Sequence, residues 1–78
     1  MLRLKQINMS KKPLYWDASY EIVLALSDAY DDVDIEEVGT QQLYQMIIDL
    51  PNFADDPTLA NDDLLNDILR EWYEENMF

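Results

Sequence analysis

Three stretches of apolar residues at helical spacing, set apart by Gly39, Pro51 and Pro57, decide what this chain can fold into. In the first, Ile22, Val23, Leu26, Ala29 and Tyr30 recur as one helical stripe, which predicts a helix over about 18–30. Asp17 or Ser19 stands where a side chain caps its start, and Glu21 and Asp28 fall off the stripe, toward solvent. In the second, Leu43, Tyr44, Met46, Ile47 and Leu50 repeat at threes and fours over about 41–49, with Thr40 as the expected cap. In the third, Leu64, Leu65, Ile68, Leu69, Trp72 and Tyr73 form a two-column stripe over about 62–76. Asn61 is its expected cap, and Asp62 and Asp63 sit in the first turn, where the helix dipole favours negative charge. Asp67, Arg70, Glu71, Glu74 and Glu75 line its other face, with Arg70 in reach of Asp67 or Glu74.

The connections are readable as well. Asp34 followed by Glu37 matches a capping box, so a single helical turn is expected before Thr40. Two helical pieces joined by a tight turn resemble a helix-turn-helix. Pro51 ends the second helix, and Phe53 is the expected apolar anchor of the loop that runs to Pro57. Residues 13–17 are extended and aromatic, either a short edge strand or a segment that packs Trp16 over the helices. Trp16 and Trp72 are the expected core anchors. The fold class expected is mainly α, a small three-helix domain with at most a minimal β element. At 78 residues there is one domain and a small core, so stability is expected to be marginal.

Charge divides the chain. Residues 1–12 hold Arg3, Lys5, Lys11 and Lys12 and no acid, a basic and loose arm. Met9 begins a second plausible start within it, and a short organelle-targeting remnant is the alternative reading. Residues 13–78 form the acidic domain, with all 17 acids and a single base, Arg70, a balance of −16. Such a domain repels phosphate backbones, so nucleic acid is excluded as a partner despite the helix-turn-helix outline. A basic protein surface is the partner its charge fits. No apolar run reaches the roughly 18 residues of a membrane span, so a soluble, cytoplasmic protein, expected to be monomeric, is the reading.

Residue types narrow the chemistry. There is no cysteine, no histidine and one glycine. Thiol and imidazole catalysis, zinc knuckles and phosphate-cradling loops are therefore absent, and an enzyme is not expected. The remaining metal ligands are carboxylates, which suit hard cations and iron. Two clusters are dense enough to consider: Asp31, Asp32 and Asp34 with Glu36 and Glu37, and Asp55 and Asp56 with Asp62 and Asp63. They read either as solvated faces and helix caps or as weak, exchangeable metal sites, and no tightly bound cofactor is expected. Neither matches a calcium-binding EF-hand loop.

Residues 15–76 resemble the IscX family, small acidic proteins of bacterial iron–sulphur cluster assembly. The resemblance is carried by Trp16, Ser19-Tyr20-Glu21-Ile22, Ala25-Leu26, Asp28-Ala29-Tyr30, Asp32-Val33-Asp34, Val38, Gln45, Ile47 and Asp49-Leu50. It continues through Phe53, Asp55-Asp56-Pro57, Asn61, Leu65, Ile68-Leu69, Trp72 and Glu75. Thr40, Met46 and Ala54 depart from the family pattern, which usually has phenylalanine, often tryptophan, and aspartate there. The resemblance implies a modified winged-helix fold. It also implies binding to the pathway's cysteine desulfurase at a basic surface patch, as an adaptor or regulator, with weak iron binding by surface carboxylates. A labile iron carrier or sensor is the alternative. On this reading Glu21, Asp28, Asp31, Asp32, Asp34, Glu36, Glu37, Asp67 and Glu71 are candidate partner contacts. Asp31, Asp32, Asp34, Asp55, Asp56, Asp62 and Asp63 are candidate iron ligands.

Overall fold

A computed structural model describes residues 12–77. The expected basic arm, apart from Lys12, lies outside them, as does Phe78. Helix α1 spans Ser19–Ala29, α2 spans Thr40–Ile48 and α3 spans Asp62–Met77. Single 3₁₀ turns at Ile35–Glu37 and Pro57–Leu59 lead into α2 and α3. Among the described residues there is no strand, only an isolated parallel bridge between Leu14 and Phe53. The architecture is thus a three-helix domain with a minimal β element, as the periodicity predicts.

The stripes face one core. Ile22, Val23 and Leu26 of α1, Leu43, Met46 and Ile47 of α2, and Leu65, Ile68 and Trp72 of α3 are buried together with Leu14, Trp16, Val38 and Leu50. The long α3 packs mainly along α1 and also against α2, so it is the spine of the domain. Ala29 is exposed at the end of α1, where the stripe has run past the edge of the core. Met46 fills the core at a position of family departure, which its unbranched side chain can do.

Helix starts differ from expectation at two of three places. Ala18 precedes α1 and Gly39 precedes α2, and neither helix has a side-chain cap bond. Ser19 and Thr40 instead lie inside the first turn. The Ser19 hydroxyl makes a longer-range bond instead, donating to Glu71 on α3 at 2.9 Å. Asn61 does cap α3, its Oδ1 accepting the Leu64 backbone N–H at 2.8 Å. The turn before α2 is a single 3₁₀ turn rather than a capping box. Asp34 Oδ1 accepts from the Glu36 N–H at 3.2 Å, two residues on, and the Glu37 N–H goes to the Asp34 carbonyl.

Candidate functional site

Two kinds of carboxylate emerge once the fold is in place: those held by the protein itself and those directed outward. The Asp55-Asp56 pair belongs to the first kind. Residues 12–16 cross the loop after α2, where the Leu14 N–H donates to the Asn52 carbonyl and the Ala54 N–H to the Leu14 carbonyl, each at 2.9 Å. The Asn52 amide donates to the Lys12 carbonyl. Trp16 then inserts, 4% exposed, edge-on to Phe53 at 5.1 Å and stacked with Tyr44 at 6.4 Å. Its backbone N–H donates to Asp55 Oδ2 at 2.8 Å, and its indole N–H donates to the Asp56 carbonyl at 2.8 Å. Asp55 Oδ1 accepts the Asp56 N–H at 2.7 Å. Asp56 Oδ1 accepts both the N–H and the hydroxyl of Thr58, capping the turn at Pro57–Leu59. These bonds, the backbone one first, hold the Asp56 carboxyl below its ordinary range.

Of the two readings the sequence leaves open for this pair, the structure shows the capping one in detail. The Asp55 carboxylate seats the Trp16 backbone, and the Asp56 carboxylate closes the turn at Pro57–Leu59. Asp62 and Asp63 are exposed in the first turn of α3. Asp31 and Asp32 are exposed in the turn after α1, and Asp34 is engaged with Glu36 as described. Among the described residues no three carboxylates come together in a geometry that holds a metal ion. The donor chemistry suits iron, but the arrangement offers no preformed cage.

Three of the expected partner contacts are also engaged. Glu71 is half-buried and accepts from Ser19, tying α3 to α1. Asp67 pairs with Arg70 at 2.9 Å on the surface of α3. Glu36 accepts from the Tyr73 hydroxyl at 3.1 Å, and that hydrogen bond, with the negative charge behind it, raises the tyrosine pKa. Beside it, Ile35, Val38, Leu69, Arg70 and Tyr73 line a shallow groove of about 380 Å³. Glu21, Asp28, Asp31, Asp32 and Glu37 remain as exposed acids. Of these, Glu21 and Asp28 share the outer face of α1. No signal in the sequence marks the Ser19–Glu71 or Tyr73–Glu36 contacts, because each joins residues far apart in the chain.

A model of the iron-sulphur cluster assembly family matches residues 14–77, nearly all of the described domain. The chain belongs to that family. Its members of the IscX type are small accessory proteins, not a known catalytic family. The chain is also 32% identical over 62 residues to an uncharacterised protein of Pseudomonas aeruginosa, PA3808, covering 80% of this chain and 94% of that one. Family membership gives the chain a role in iron–sulphur cluster assembly. No helix among the described residues is long and apolar enough to cross a membrane.

Proposed function

We propose that this protein is a non-catalytic adaptor or regulator of iron–sulphur cluster assembly that binds a cysteine desulfurase through its acidic surface. The observation that carries the reading is the charge balance: 17 acids against Arg70 alone over residues 13–78. A surface so one-sided steers a basic partner and repels nucleic acid and like-charged surfaces. Iron, on this reading, is a loosely held and exchangeable cargo of exposed carboxylates such as Asp31, Asp32, Asp62 and Asp63. The adaptor reading stands ahead of an iron carrier because among the described residues no three carboxylates converge and two of them are spent on Trp16 and Thr58.

An amide NMR titration with the cognate cysteine desulfurase, without and then with ferrous iron under anaerobic conditions, tests both. Selective loss of signals from the exposed acidic segments, weakened by salt and by reversing the charge of Asp31, Asp32 and Asp34, is the expected result. Salt-independent affinity removes the electrostatic adaptor. Iron-induced shifts beside carboxylates, with no response to the desulfurase, put the carrier first.

A further inference from the structure

The acidic shell is interrupted on the outside of α1 by two large apolar side chains. Tyr20 is 51% exposed and Leu24 is 43% exposed, and both stand outside the buried cluster. They are four residues apart, so they are neighbours on one helix face. That face is opposite Ile22, Val23 and Leu26, which α1 buries. On the helix beside them lie Glu21 and Asp28, seven residues apart, and Asp17 and Asp31 stand in the turns just before and just after it, all four exposed. The result is an apolar centre with a negatively charged rim. No base stands on α1 or in the turns that flank it.

We propose that this face is a docking surface for a basic protein surface that presents an apolar pocket ringed by Lys or Arg. Tyr20 and Leu24 enter the pocket, and Asp17, Glu21, Asp28 and Asp31 pair with the ring. Charge selects the occupant. A second copy of this chain would bring the same four acids against its own, and anionic lipid or nucleic acid is repelled. An aromatic anchor inside a rim that excludes water is the arrangement of a binding hot spot. The two parts have separable kinetics: the rim charges accelerate encounter, and the anchors slow escape. Where the occupant is the desulfurase, the inference rests on the function proposed above.

The test uses the full chain and two kinds of probe. Against immobilised cysteine desulfurase, Tyr20→Ala and Leu24→Ala are each expected to raise the dissociation rate about tenfold while leaving the association rate near wild type. Glu21→Lys combined with Asp28→Lys is expected to slow association, most at low salt. Leu59→Ala, an exposed apolar residue on the turn at Pro57–Leu59, is the control and should bind as wild type. Melting curves verify that all variants fold. An amphipathic Leu–Lys peptide and an oligolysine of equal charge are the second probe and do not depend on the desulfurase. At physiological salt the amphipathic peptide should bind about tenfold more tightly. That advantage should vanish in the Tyr20→Ala/Leu24→Ala double variant. If the desulfurase binds wild type and the anchor variants alike, the docking surface is wrong while the adaptor stands. If the desulfurase fails to bind wild type at low salt, the adaptor falls and the peptide comparison alone decides. Equal affinity for the two peptides overturns the inference.

Discussion

The carboxylates of Asp55 and Asp56 lie side by side in the chain and do different jobs. Asp55 accepts the backbone N–H of Trp16, a buried residue, so its removal leaves that donor without its partner. Asp55→Ala is therefore expected to cost about 1–3 kcal/mol in urea unfolding, with or without iron present. An unchanged midpoint would return Asp55 to the list of free surface acids. Asp56 holds Thr58, and its carboxyl lies below the ordinary value of 3.8. A group whose pKa is depressed in the folded state adds stability that is complete above its unfolded pKa and fades as pH falls through the folded one. The melting temperature of Asp56→Ala is thus expected to lie below wild type near neutral pH, with the gap closing below about pH 4. A gap that stays constant down to pH 2 would sink this linkage.

Helices α1 and α3 meet along a seam stitched by polar groups as well as by Ile22, Val23 and Leu26. Trp72 is 1% exposed, and its indole N–H donates to Ser27 Oγ at 3.1 Å. Asn76 donates to the same oxygen at 3.2 Å, and Ser19, about two turns earlier on α1, reaches Glu71. Ser27→Ala removes the acceptor and leaves a buried indole N–H unpaired, so a loss of about 1–3 kcal/mol is expected. In a domain whose core supplies only roughly 3–5 kcal/mol, that is a large share. Denaturant midpoints of Ser27→Ala and Ser27→Thr distinguish the bond from mere packing, since threonine keeps the hydroxyl.

The whole molecule carries a net charge of −12, concentrated over residues 13–78. Like charges at that density oppose the compact state. Moving from about 10 mM to about 150 mM salt shortens the screening length from roughly 30 Å to 8 Å, less than the span of the domain. The melting temperature is expected to rise over that range. A flat profile in calorimetry would mean that the acids are already dispersed enough not to interact. The same screening should weaken a basic partner, so stability and binding are expected to respond to salt in opposite directions.

Helical periodicity, the proline breaks and the charge partition are local or additive properties of the chain. The sequence by itself therefore determined three helices near their observed bounds, the core positions from Ile22 to Trp72, the cap at Asn61 and the acidic character of the surface. The family was legible in the same stretch, through Asp28-Ala29-Tyr30 and the Phe53, Asp55-Asp56-Pro57 run together with Trp72. The tertiary structure alone decided which acids are available. Trp16 meets Asp55 across 39 residues, and Ser19 meets Glu71 across 52. Whether a carboxylate becomes a ligand, a partner contact or an internal acceptor depends on which N–H or hydroxyl the fold brings within 3 Å of it, and no spacing along the chain encodes that meeting.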